Sequence, residues 1–320
     1  MFAIGTENQL LYGITLLTGG IFALALGAYR CTKANLSRKK ILLTTLSLPV
    51  FVTFFSHFLY CLADSEYILY SHSLLYFFAF WEKGTMLYGG ILGAVLGLFL
   101  LGKKDFPTML EQYAPSGALM IAAFRIAEGF LGQGYGEYAI EDTFFCRFPF
   151  MIYDPHYEAW AWALFVLEAL IALGLFLFLL IKKERRTGDS ALLLLGLYAS
   201  AQIILESLRR DEFLRWGFVR IEQVLSAVLI LVVLTLYCRK TPKAKTLPKL
   251  ILFGVYLAMI VFCLLLEFAT EGRIPFLLFL DVDACYIAMA LACIVLGGCV
   301  LGMRRLSRSQ YMPQGKERCI

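Results

Sequence analysis

The chain has 320 residues, is 60% hydrophobic and only 17% charged, with a mean hydropathy of +0.74 and a net charge of +5. A soluble domain of this length does not carry so many uninterrupted apolar runs, so the composition points to an all-α polytopic membrane protein. Short β-alternation is absent, which argues against an outer-membrane barrel.

Nine apolar runs follow in chain order, at 9–29, 41–63, 85–102, 113–132, 158–181, 190–208, 221–238, 249–267 and 283–303. Each is near the ~20 residues that cross a hydrocarbon core as a helix. The segment "MFAIGTENQL" ahead of the first has no basic residue and one glutamate, so it reads as a mature helix start and not a cleavable leader. Lysine and arginine orient the chain. With the N-terminus outside, every lysine but Lys83 falls in a cytoplasmic loop or tail, and the C-terminus is cytoplasmic. The positive balance then belongs to loops facing anionic lipid heads, and nothing in it calls for nucleic acid. The basic stretch "CRKTPKAKTLPK" separates seven spans from two, suggesting a core over 1–240 and a C-terminal pair with a basic cytoplasmic tail over 241–320. The nine cysteines form no CxxC pair or His/Cys cluster, so no metal, cofactor or disulfide framework is expected.

Ionisable residues at membrane depth need a reason, because each costs about 2.5–3.5 kcal/mol on insertion scales. Arg125 lies well inside the fourth span, with Glu128 three positions later on the same helical face. An internal ion pair that merely stabilises packing is as good a reading of these two as a functional one. In the sixth span Gln202, Glu206 and Arg209 form one polar stripe near the outer end. Tyr12 and Gly13 lie near the outer end of the first span, and Tyr88, Gly89 and Gly90 open the third. Together these residues describe an outer-leaflet pocket with two arginines, tyrosine hydroxyls and glycine backbone. A guanidinium fork suits phosphate, so a phospholipid headgroup is the natural ligand at that depth.

The motifs in order resemble the prolipoprotein diacylglyceryl transferase family through about residue 240. "LYG" at Leu11 to Gly13 is similar to the family's "WYG", and "KGTMLYGGILG" from Lys83 to "GGMSFHGGLLG". "FRIAEGFLGQGYGE" from Phe124 is similar to the family signature "GRIGNFINGE". "DPHYEA" from Asp154 partly matches "PSQLYEA", and "QIILESLRRDE" from Gln202 matches "RFxxEFxRxPD". The family histidine before the glycine pair is Tyr88 here, the signature asparagine falls on Glu128, and an arginine falls on Gln202.

The resemblance implies a multi-pass enzyme of the bacterial plasma membrane. It moves diacylglycerol from phosphatidylglycerol to the cysteine thiol of a lipoprotein precursor's lipobox, and glycerol phosphate leaves. It implies Arg125, Arg209, Glu206, Glu128 and Tyr88 as catalytic residues, with Tyr12, Gly89, Gly90, Gln202 and Tyr157 binding substrate. The leaving group carries negative charge, so placed arginines are needed most. Bringing a thiol of pKa ~8.5 to its thiolate near neutrality asks for only about 2 kcal/mol. Two other readings stay open. The departures at Tyr88, Glu128 and Gln202 suit a divergent paralogue that binds phospholipid or a partner protein without transfer. A small transporter would show paired interrupted helices in two related halves, and no such repeat is visible.

Overall fold

The computed structural model describes residues 4, 7–82, 84–139, 144–182, 187–211, 214–216, 219–242, 245–273 and 280–308. Lys83 lies outside these residues, as does the chain beyond residue 308. Among the described residues, eight helical stretches are long and apolar enough to cross a membrane. This is a multi-pass helical membrane protein. The chain divides into two compact units, Met1–Leu194 with Leu208–Glu222, and Leu195–Ser207 with Gln223–Ile320.

The first unit opens with α1 (Gln9–Lys33), whose first turn is capped by the Asn8 side chain accepting from the Leu11 N–H at 3.0 Å. α2 (Arg38–Ala63) is followed by a short helix, α3 (Ser65–Ser71). The apolar stretch 87–129 is two helices, α4 (Leu87–Gly102) and α5 (Phe106–Gly129). A single 3₁₀ turn, Lys103–Asp105, joins them, with Lys103 in the left-handed region at φ 50°. Lys40, at the start of α2, bonds Asp105 in that turn.

Glycine sets how closely these helices approach. A Cβ at Gly89 would overlap the carbonyl oxygen of Phe55, and one at Gly93 that of Phe51, so α4 rests on the bare backbone of α2. The same device places α1 on α5, where Gly19 faces Ala123 and Gly27 faces the Tyr113 ring. Cys31, Ile41, Leu48, Leu98, Met109 and Tyr113, from four helices, form the apolar core between them. Gly90 differs from its neighbour: a Cβ there would lie 3.5 Å from Val52 Cγ1, an ordinary contact. Gly89→Ala is therefore expected to destabilise the protein by about 1–3 kcal/mol through overpacking, while Gly90→Ala is neutral or better. Thermal unfolding of the two variants in detergent checks this, and equal midpoints would refute the packing account.

The connection before α6 (Leu164–Ile181) contains an antiparallel hairpin of β1 (Met151–Asp154) and β2 (Ala159–Trp162). Asp154 closes its turn by accepting from the His156 N–H at 2.9 Å, and from the Tyr138 hydroxyl at 2.5 Å. Ile152, Ala161, Ala163 and Phe165 pack beneath it. α7 (Asp189–Leu208) begins in this unit, where Glu111 of α5 accepts from the Ser190 N–H at 2.7 Å and Lys182 reaches Asp189 at 2.6 Å. A two-residue ladder, β3 (Arg215–Trp216) with β4 (Val219–Arg220), leads into α8 (Ile221–Arg239).

The second unit holds the rest of α7 and α8 with α9 (Thr246–Thr270) and α10 (Val282–Arg308). Gly196 sits against Val300 and Val233, and the Tyr256 hydroxyl donates to the Ala227 carbonyl at 2.8 Å. Ile230, Leu234, Leu296 and Met303 are fully buried. Elsewhere the helices present large apolar side chains outward, among them Leu17, Phe22, Leu46, Leu250 and Ile294. In water such a surface would aggregate, whereas in a bilayer it is the solvated face.

Candidate functional site: a buried arginine and carboxylate cluster

Within the first unit the α5 arginine and the one just past the end of α7 meet in one cluster. Arg125 is fully buried, and each of its guanidinium nitrogens faces a carboxylate. Nη1 donates to Glu128 at 2.7 Å and Nη2 to Glu222 at 2.8 Å, while Nε stands 3.0 Å from Glu168. The expected Arg125–Glu128 pair is thus formed, but it is one arm of three. The other two carboxylates come from α6 and the first turn of α8, so Arg125 braces three helices.

Arg209 is also buried and is gripped by Asp211, with Nη2 donating at 2.6 Å and Nε at 3.1 Å to the same oxygen. Its Nη1 lies 3.9 Å from both Glu128 and Glu168, which joins it to the Arg125 group. Arg220, at the end of β4, completes the clamp. It donates to the Asp211 carboxylate at 2.9 Å, and to the carbonyls of Arg209 at 2.9 Å and Asp211 at 2.6 Å. The Gly134 N–H adds a further bond to Asp211 at 2.7 Å. Gly134 adopts φ +72°, a conformation open to glycine at little strain, and this aims its amide at the carboxylate. Burial alone would raise the Asp211 carboxyl, but Arg209 and Arg220 outweigh it and hold the group down to about 2.

The arrangement concentrates guanidinium groups in a water-poor place, where each fixed charge acts more strongly than in solvent. It also surrounds them with carboxylates, so an entering anion must exchange places with Glu128, Glu168, Glu222 or Asp211. The cluster can offer positive charge to a phosphate and a carboxylate to a proton.

The other expected residues lie in separate groups. Tyr12 bonds Thr85 at 3.0 Å, bringing α1 to the start of α4, where Tyr88 and Gly89 are buried and Gly90 is half-buried. Gly89 has its Cα pressed on α2. Of the expected Gln202, Glu206 and Arg209 stripe, Gln202 donates to Glu206 at 2.7 Å within the second unit, whereas Arg209 lies past the end of α7 in the first. Tyr157 sits in the hairpin turn, 68% exposed, with its ring 5.7 Å from that of Tyr138.

Four members of the cluster are not evident from sequence as site residues: Glu168, Asp211, Arg220 and Glu222. Glu168 carries a usable signal, a lone carboxylate inside the apolar run "LFVLEALIALG". The other three stand in or beside a polar connection, where charge is ordinary.

A family model for prolipoprotein diacylglyceryl transferase matches residues 1–239. A phosphatidylglycerol–prolipoprotein diacylglyceryl transferase of Legionella pneumophila (strain Lens) is 29% identical over 252 residues, covering 75% of this chain and 95% of the relative. One from Streptococcus suis (strain 05ZYH33) is 30% identical over 234 residues, covering 69% and 84%. One from Legionella pneumophila (strain Corby) is 31% identical over 171 residues, covering 51% and 65%. The matched segment contains every residue of the buried cluster, and the chain belongs to the prolipoprotein diacylglyceryl transferase family.

Proposed function

We propose that this protein transfers diacylglycerol from phosphatidylglycerol to the thiol of a lipoprotein precursor's lipobox cysteine in the bacterial plasma membrane. The observation that carries the reading is the joint burial of Arg125 and Arg209 in one cluster, within a family-matched segment. In the step itself a thiolate sulfur forms a bond to a glycerol carbon. The carbon–oxygen bond to phosphate breaks, and glycerol phosphate departs with the electron pair. Arg125 and Arg209 stabilise the charge that develops on that phosphate, and a carboxylate, Glu128 or Glu206, receives the thiol proton. Tyr88, in the place of the family histidine, relays that proton. Tyr12, Gly89, Gly90, Gln202 and Tyr157 contribute to binding the two substrates.

The same reading sets nine spans, with the N-terminus outside and the C-terminus cytoplasmic, and so puts the start of α1, the start of α4 and the end of α7 in the outer leaflet. Residues 1–240 form the transferase core, and 241–320 are an added helix pair with a basic tail.

The test is transfer by the purified full chain in phosphatidylglycerol vesicles, followed by mass spectrometry of a lipobox peptide. A mass gain of one diacylglyceryl group is the expected result. Binding of phosphatidylglycerol with no transfer would replace this reading with the non-catalytic one.

A further inference from the structure

We propose that Glu267, on the helix pair beyond the family-matched segment, is a positioning residue for the arginine cluster. Glu267 is a buried carboxylate near the end of the long apolar stretch of α9, a placement that needs a reason. Its partners supply one. The Ser207 hydroxyl donates to Glu267 Oε2 at 2.6 Å, and Gln223 Nε2 approaches the same oxygen at 3.4 Å. Gln223 Nε2 also donates to the Ile203 carbonyl at 3.2 Å.

The identity of these partners matters more than their number. Ser207 is the last residue of the second unit on α7, and Arg209 follows two positions later. Gln223 is the first residue of that unit on α8, and Glu222, which holds Arg125, directly precedes it. One carboxylate therefore holds both Ser207, two positions before Arg209, and Gln223, next to Glu222. A purely apolar helix pair would cover α7 and α8 without fixing these two ends. The carboxylate sets their spacing, and through the covalent chain it sets the backbone positions from which Arg209 and Glu222 reach into the cluster. Glu267 need not meet substrate for this.

The inference rests on the transfer activity proposed above, so its test includes a readout independent of activity. The full chain in lipid nanodiscs is compared with Glu267→Ala, Glu267→Gln and Ser207→Ala. For Glu267→Ala we expect kcat to fall about tenfold, with KM for phosphatidylglycerol within about twofold of wild type. Glu267→Gln keeps an acceptor for the Ser207 hydroxyl and recovers most of the loss. The double variant with Ser207→Ala is no worse than Glu267→Ala alone, because both remove the same bond. Amide exchange over 206–222 quickens in Glu267→Ala while 106–129 stays as protected as in wild type. Wild-type exchange over 206–222 in Glu267→Ala would overturn the proposal. Protection lost equally over 106–129 would overturn it too, since that is plain destabilisation. A wild-type chain that performs no transfer refutes the proposed function, and the exchange comparison then decides this inference alone. Should Glu267→Ala fail to fold, exchange over 206–222 in Ser207→Ala and Glu267→Gln decides it by the same criteria.

Discussion

Arg125→Ala is expected to remove diacylglyceryl transfer and to weaken the fold at the same time. The substitution leaves Glu128, Glu168 and Glu222 around the position that the Arg125 guanidinium vacates. Breaking a buried ion pair from one side costs about 3–5 kcal/mol, and Arg209, 3.9 Å from Glu128 and Glu168, replaces the lost contacts only in part. Loss of one donor aimed at developing charge lowers kcat by roughly 10²–10³. Arg125→Ala combined with Glu222→Gln separates the two effects, since one uncompensated charge is then gone. The double variant should regain part of the thermal stability and none of the transfer. A folded Arg125→Ala protein that turns over at the wild-type rate would end the assignment of Arg125 to the reaction.

The second large effect belongs to Asp211. Asp211→Asn keeps the shape of the side chain but withdraws the charge that holds Arg209 and Arg220. Arg209 then loses its fixed direction, and transfer is expected to fall by about 10². The pH dependence follows from the carboxyl held near 2 in the fold, against its ordinary 3.8. A depressed carboxyl stabilises the folded state fully above its unfolded pKa, and the contribution is lost as pH falls through the folded value. The difference in stability between wild type and Asp211→Asn should therefore be about 2 kcal/mol and flat over roughly pH 5–8. It should shrink only below about pH 4. Unfolding measured across that range checks the sign, and a difference that grows on acidification would contradict the clamp.

The sequence disclosed those features whose cause is local. Apolar runs at 9–29 and 221–238 became α1 (Gln9–Lys33) and α8 (Ile221–Arg239), because a hydrocarbon core asks only for length and hydropathy. The Arg125–Glu128 pair was legible from its spacing of three, and the Gln202–Glu206 contact from its spacing of four, while Arg209, third in the expected stripe, left it beyond the end of α7. What stayed hidden comes from a distance. Glu222 reaches Arg125 across 97 positions, and no spacing rule registers such a partner. Arg220 ends the second strand of a short ladder and Asp211 precedes the first, and only the folded chain brings them together. The glycine pair was readable in two ways, as backbone offered to a lipid or as a packing surface. Gly89 is pressed on the α2 backbone while Gly90 has room for ordinary contact with α2 side chains, a distinction set by a rotation of about 100° around the helix axis that identical letters cannot show.

The brevity of α4 bears on how the protein is made. Its 16 residues rise only about 24 Å, short of a hydrocarbon core about 30 Å thick. Three of them, Gly89, Gly93 and Gly97, are turned onto α2 and offer a lone helix little to hold it among lipid tails. A helix this short meets the full thickness of the core only where the bilayer thins or neighbouring helices cover its ends. It should enter the bilayer as one hairpin with α5, through the tight turn at Lys103–Asp105, and only against an α2 already in place. Because α2 is translated first, the ribosome delivers these helices in the order that their assembly requires.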